Sequence, residues 1–249
     1  MNPRIVPTVA MVALTAFAAP GATPATDLGA FLAEVEDAGR PEAPVRADLH
    51  VRVKEAEGER QYEGVAVYRG ANVYVDLGKP AVRLLIRAGD KGDETVDQAY
   101  GDGTGSPVRG TAYDPIRGTT LIVDDFRPFR ARTLRMPQIT SETKRTLLVS
   151  GAPAEVSPYV LLVYLLDRET HLPTRVQYYE RIASNLVRMR HDTDLVRIDG
   201  TWRPRRTEIE DYKTGAVTEI ERRWTATPEV PPDLFDPAML ATRSPLGHP

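Results

Sequence analysis

Residues 201–224, TWRPRRTEIEDYKTGAVTEIERRW, are best read by twos. Thr207 and Ile209 fall on one side of an extended chain, Glu208 and Glu210 on the other. On the return arm Thr218, Ile220 and Trp224 share a side, opposed by Val217, Glu219, Glu221 and Arg223. That alternation predicts two strands with one dry face and one wet face. Lys213-Thr214-Gly215 supplies the turn, with Gly215 free to take a positive φ. A hairpin so charged on one side belongs to a one-sided sheet, and the fold depends on what its dry side covers.

The same period extends upstream. From Arg46, RADLHVRVKE sets Leu49, Val51 and Val53 against His50, Arg52 and Lys54. Three further alternating runs follow, separated by Gly70-Ala71, Gly78-Lys79-Pro80 and Gly89-Asp90, which predicts an antiparallel meander. Residues 91–110 are polar and glycine-rich and read as a weak strand with loops. GTTLIVDDFRPFRARTLRMP, from Gly118, reads as a short helix from near Val123 or as irregular chain. Strand patterns return at KRTLLVSGAP. Tyr159–Leu166 is apolar on both faces, which predicts a central strand covered on each side. A helix is expected from Thr26 or Asp27 to Ala38, stopped by Gly39, with Leu28, Phe31, Leu32 and Val35 as its apolar stripe. A short helical turn in PPDLFDPAML closes the chain.

These patterns give about nine to eleven strands and two or three short helices. The fold class is mainly β, with too few helices to close both faces of the sheet. A long antiparallel sheet with one dry face must curl, gain a helical cover or hold something apolar.

Composition sets the outer bounds. The 249 residues are 41% hydrophobic and 27% charged, with 21 prolines and 18 glycines, as expected for many short elements joined by turns. The net charge of −3, without a basic tract, argues against a nucleic-acid surface. Residues 1–25 combine Arg4, an apolar stretch from Val9 to Ala19 and small residues after it. They read as a secretory signal cleaved after Ala18 or Ala25, leaving one domain over 26–249. The chain has no cysteine, which excludes disulfides and a lipidated junction.

No pattern specific for catalysis emerges. His191, Asp192 and Asp194 stand close in sequence but on alternate faces of a strand, short of the convergent ligands zinc requires. GDGTGS at 101–106 lacks the lysine and the strand-loop-helix setting of a phosphate loop. Ser106 and Ser157 stand outside any nucleophile elbow. The expectation is a protein with no catalytic residue, no metal and no cofactor.

Three segments in order, VYLLDRETHLPTRVQYYER, IDGTWRPRRTEIEDYKTGAVTEIERRW and PPDLFDPAML, resemble the outer-membrane lipoprotein-sorting family, the LolA/LolB-like proteins. Upstream, IRGTTLIVDDF resembles that family's Gly-Thr and Asp-Asp region at Gly118, Thr119, Asp124 and Asp125. The resemblance covers roughly residues 45–240. It implies an incomplete, half-open antiparallel β-barrel around an apolar cavity, lidded by short helices. It also implies a soluble periplasmic carrier of lipid or acylated lipoprotein cargo, working between an inner-membrane exporter and an outer-membrane acceptor. The alternative it leaves open is an envelope lipid-sensing accessory module that signals to a protein partner. The family's best-known carrier ties its lid shut with an arginine, a role the resemblance assigns to no arginine here. Placing the apolar alternation in that frame gives cavity candidates Leu49, Val51, Val53, Val73, Val75, Leu84, Ile86, Val176, Tyr178, Ile209 and Ile220. The lid candidates are Leu28, Phe31, Leu32, Val35 and Phe126.

Overall fold

The structure is a computed structural model that describes residues 26–240, apart from 79–80, 90–92, 102–105 and 228. The expected signal over residues 1–25, the glycine-rich stretch at 102–105, part of the turns at Lys79-Pro80 and Asp90, and the tail with His248 lie outside the described residues.

Helix α1 (Leu28–Ala38) starts where Asp27 accepts the backbone N–H of Ala30 at 3.1 Å and stops at Gly39. It buries Phe31, Leu32 and Val35, three residues of the stripe read from sequence. Six strands follow: β1 (Val45–Glu55), β2 (Gly58–Arg69), β3 (Asn72–Leu77), β4 (Val82–Ala88), β5 (Glu94–Tyr100) and β6 (Val108–Gly110). The connection 111–133 contains 3₁₀ turns at Val123–Asp125 and Ala131–Thr133. Seven more strands follow it: β7 (Leu134–Glu142), β8 (Thr146–Pro153), β9 (Tyr159–Asp167), β10 (Pro173–Glu180), β11 (Leu186–Ile198), β12 (Thr201–Asp211) and β13 (Ala216–Ala226). Helix α2 (Pro237–Leu240) is one turn.

All thirteen strands form one antiparallel sheet in the order β6-β5-β4-β3-β2-β1-β13-β12-β11-β10-β9-β8-β7. Two meanders are joined where β1 pairs with β13, in a register that sets Val51 opposite Ile220 and Val53 opposite Thr218. β6 and β7 stay at opposite ends, so the sheet is not closed and is consistent with a half-open barrel. The β12–β13 hairpin is the one read from sequence, with Ile209 opposite Thr218 and Thr207 opposite Ile220. Its turn is held by Asp211 Oδ1, which accepts the N–H groups of Lys213 and Thr214, and Gly215 sits at φ 75°.

Two expectations change. There are thirteen strands rather than nine to eleven. β6 is three residues long, and β7 is mostly exposed with a bulge near Met136, so neither shows an apolar alternation. The 118–137 segment has a short 3₁₀ helix at Val123–Asp125, where a short helix or irregular chain was expected, and a second 3₁₀ turn before β7. β9 is third from its edge and Leu161 and Leu165 stay half-buried, so its outer side is only partly covered. Full cover on both faces occurs instead at β2–β5. There Leu234 and Leu240 pack on Val67, Tyr74, Leu85 and Ala99, on the side opposite the main core.

Close strand approach makes one glycine indispensable. A Cβ at Gly64 would lie 2.4 Å from the carbonyl oxygen of Asp76 and 2.9 Å from Leu77 Cδ2. Gly64→Val is expected to lower stability by about 1–3 kcal/mol, the usual cost of overpacking. Denaturant titration checks this.

Candidate functional site

The site is created by the connection between β6 and β7. Because these strands are the two ends of the sheet, residues 111–133 cross its whole inner side. Ile116, Leu121, Val123 and Phe126 join the core formed by β1–β5, Ile209 and Ile220. Ala112, Tyr113, Ile122 and Phe129 pack instead with α1 and the inner residues of β8–β10.

Polar groups fasten this segment at its centre. Asp125 accepts the N–H of Ile122 at 2.8 Å and pairs with Arg188 at 2.5 Å, both side chains being buried. Asp124 accepts the Tyr178 hydroxyl at 2.7 Å and pairs with Arg127 at 2.7 Å, and Arg127 reaches Glu155 at 2.6 Å. Arg188 donates to the Thr120 carbonyl at 3.1 Å, Arg190 to that of Asp124 at 3.1 Å, and Tyr62 to that of Gly118 at 3.0 Å. Thr120 and Thr218 are joined hydroxyl to hydroxyl. Burial disfavours the charge on Arg188, yet Asp125 beside it raises its pKa above the usual arginine value. Burial, followed by Asp124 and Asp125, pushes the Tyr178 pKa up, so its hydroxyl stays a donor at neutral pH.

All eleven cavity candidates are buried on the inner side of the sheet. Nine of them (Leu49, Val51, Val53, Val73, Val75, Leu84, Ile86, Ile209 and Ile220) form one cluster with the crossing segment. Val176 and Tyr178 lie in the neighbouring cluster beneath α1. Phe31, Leu32 and Val35 cover β8–β10, Leu28 is partly buried at the edge of that cluster, and Phe126 lies within the first cluster. Sequence reading missed the charged part of the inner face. Arg188, Arg190, Asp192, Arg203 and Arg222 are all buried or nearly so. The available signal was parity: Arg190 and Asp192 share the inward side of β11, while His191 faces the other way. Among the described residues, no three His, Asp or Glu side chains converge to hold a metal ion.

A small cavity of about 80 Å³ lies on the inner side, between the C-terminal end of α1, residues 124–130 and β10–β13. Its walls include Val35, Phe129, Val176, Trp202, Arg203 and Arg222. A wider, open depression of about 550 Å³ lies over β1, β2 and β11–β13. Two of its charge pairs are His50–Glu63 and Arg223–Asp48.

Comparison with known proteins places this geometry. Residues 111–242, just over half the chain, match the model of a family described as "Uncharacterized protein". No curated protein matches by sequence. Among solved structures, a domain assigned to an outer membrane lipoprotein-sorting protein from Vibrio parahaemolyticus aligns with TM-score 0.72 at 15% identity, covering 84% of this chain and 97% of that one. A DUF1329 family protein from Desulfovibrio piger gives TM-score 0.71 at 14% identity, covering 85% and 96%. A LolA superfamily protein from Nitrosomonas europaea gives 0.65 at 16% identity, covering 85% and 98%. At these identities the likeness is one of fold, and the fold is that of the outer-membrane lipoprotein-sorting proteins, as the sequence resemblance implied.

The anchor at Asp125 is testable by stability. Asp125→Ala leaves the Arg188 charge buried without its carboxylate and is expected to cost about 3–5 kcal/mol. The double variant Asp125→Leu, Arg188→Leu is expected to recover most of that loss, because no unpaired charge remains buried. Urea unfolding of the three proteins measures both.

Proposed function

We propose that this chain, which belongs to the uncharacterized-protein family matched over residues 111–242, is a non-enzymatic carrier. On this reading it holds acyl chains of lipids or lipoproteins against the inner face of its sheet. The observation that carries the reading is the continuous apolar inner face of β1–β5, extended by Ile209 and Ile220 and covered by an irregular, polar-anchored segment rather than by a second sheet or a helix layer. The lipoprotein-sorting fold supports it. The expected setting is the periplasm, reached through a signal over residues 1–25. No described helix is long and apolar enough to cross a membrane.

A cavity of about 80 Å³ falls well below the roughly 300–1,000 Å³ typical of small-ligand pockets. An acyl chain therefore needs residues 116–126 to lift from the sheet. Each buried methylene contributes about 0.8 kcal/mol, so a long chain gains roughly 10 kcal/mol against the costs of ordering and displacement. The anchors of the segment suit such an exchange, since hydroxyls, carboxylates and carbonyls released from protein partners rebind water at little net cost.

The absence of native cysteine makes the gate directly testable. Thr120→Cys with Thr218→Cys places a lone disulfide between the segment and β13, where the two hydroxyls touch. Reduced protein is expected to bind a fluorescent fatty acid and oxidised protein to lose that binding at least about tenfold, with dithiothreitol restoring it. Equal binding by both forms removes the segment as gate, and no binding by wild type removes the carrier reading.

Replacements on opposite faces give a second check. Val51→Asp or Ile209→Asp sets an unpaired charge where the chain lies and is expected to abolish probe binding in protein that keeps its β circular dichroism. Arg52→Glu and Glu210→Lys, on the other side, are expected to leave it within about twofold.

A further inference from the structure

The cavity beneath α1 is richer in positive charge than its own residues can balance. Five arginines line it (Arg127, Arg130, Arg190, Arg203 and Arg222), with three carboxylates, Asp124, Asp125 and Asp192. Following each charge to its partner shows where the excess lies. Arg127 is taken by Asp124 and Glu155, Arg130 by Glu94 at 3.0 Å, and Arg190 by Asp192 at 2.6 Å. Asp125 is taken by Arg188. That leaves Arg203 and Arg222, neither of which pairs with a carboxylate among the described residues.

Both are deeply placed, at 5% and 6% exposure, so they meet the full penalty of a buried charge. Arg222 donates to the Thr207 hydroxyl at 2.5 Å, and that hydroxyl in turn donates to Asp192 at 2.5 Å, a relay that ends on a carboxylate already held by Arg190. Arg203 donates one N–H to the carbonyl of Gly39, the residue that ends α1, at 3.1 Å. Its Nε and Nη2 have no hydrogen-bond partner. Its guanidinium lies over the rings of Tyr68 and Trp224, at 5.8 and 5.7 Å from their centres, contacts that favour the cation without neutralising it. Burial lowers the Arg203 pKa to about 10, with Tyr68 the opposing influence. Burial lowers that of Arg222 as well and Arg190 adds to the lowering, against Tyr68, Asp192 and Asp125, which raise it.

We infer that this cavity is a subsite for one small anionic group, a carboxylate or a phosphate, received by the free edge of the Arg203 guanidinium and by Arg222. A planar fork of N–H donors is the side chain best matched to either anion. The size agrees, because about 80 Å³ holds a headgroup and not a chain. The opposite wall is apolar, made by Val35, Phe126, Phe129, Leu172 and Val176, and Phe126 is also part of the β1–β5 core. An anion bound at Arg203 is therefore placed to have its hydrocarbon continue along the inner face. This inference rests on the carrier reading for its biological source and specifies the cargo as an acidic amphiphile. The anion site itself stands on the charge count.

The experiment uses the two tryptophans of the chain, Trp202 and Trp224, because both line the cavity and report occupancy by intrinsic fluorescence. Wild-type protein is titrated with oleate, with oleyl alcohol and with inorganic phosphate. Oleate is expected to bind at least about tenfold more tightly than the alcohol, and phosphate to change the same fluorescence at millimolar concentration. Arg203→Gln and Arg222→Gln are each expected to reduce oleate to the affinity of the alcohol and to remove the phosphate response. Because Arg203 lacks a carboxylate, Arg203→Met is also expected to keep or raise the thermal midpoint of ligand-free protein while losing the anion response.

Equal binding of acid and alcohol, unaffected by Arg203→Gln, overturns the anion subsite and leaves the carrier reading in place. An Arg203-dependent phosphate response without binding of either amphiphile supports the subsite and overturns the carrier. Loss of stability in Arg203→Met with unchanged oleate binding makes the arginine structural and overturns the inference.

Discussion

The chain order of this sheet imposes one demand that shapes everything else. Strands β6 and β7 are consecutive in sequence yet stand at opposite ends of thirteen strands, so the connection between them has to span the sheet. At roughly 3.3 Å per extended residue, the 23 residues 111–133 have the reach, and the inner side of a curved sheet is the short way across. A backbone drawn through an apolar concavity must then satisfy its own polar groups. The pairing of Pro115 with Ile122, the Asp125 side chain on the Ile122 N–H and the arginine donors to the Thr120 and Asp124 carbonyls do so. The buried charges of the inner face follow from threading irregular chain where a regular element would have satisfied itself.

That origin explains which parts of the molecule were legible in sequence. Strands with one covered face announced themselves, because Leu49, Val51 and Val53 or Ile209 and Ile220 alternate with charge and period two has no helical reading. The cap and stop of α1 were legible for the same local reason. β7 was not, since its position at the end of the sheet leaves most of it exposed and a bulge breaks its alternation. The outer cover at Leu234 and Leu240 was hidden as well, because it depends on contacts made across more than a hundred residues of chain. The β1–β13 pairing that unites the two meanders is likewise non-local, and nothing in either strand names its partner.

Charged residues were the hardest to place. Arg190, Asp192, Arg203 and Arg222 sit at inward parity, but an arginine in a strand is ordinarily a wet-face residue, and parity alone gives way to that expectation. What reverses it here is the crossing segment, whose Asp125 carboxylate holds Arg188 and whose Asp124 carbonyl accepts from Arg190, both from β11. The Gly118-Thr119 and Asp124-Asp125 pattern was visible as a resemblance, while its physical role as the fastening of the cover required the fold.

The inner face is consequently divided rather than uniformly dry. Along β1–β5 it is lined by valine, leucine and isoleucine. Along β11–β13 the hairpin carries Ile209 and Ile220 nearer its turn, and Thr207, Arg222 and Arg203 farther from it. A uniformly apolar trough has no preference for the orientation of a hydrocarbon chain, because burial is non-directional. One charged end supplies the direction, since a headgroup satisfied there by charge-assisted hydrogen bonds is unsatisfied anywhere else on the face. Free binding energy from the chain and orientation from the head then come from different strands of the same sheet. On the carrier reading, loading and release turn on how firmly residues 111–133 are fastened between those two regions, and that fastening is electrostatic at Asp124 and Asp125 and apolar at Ile116, Leu121 and Phe126.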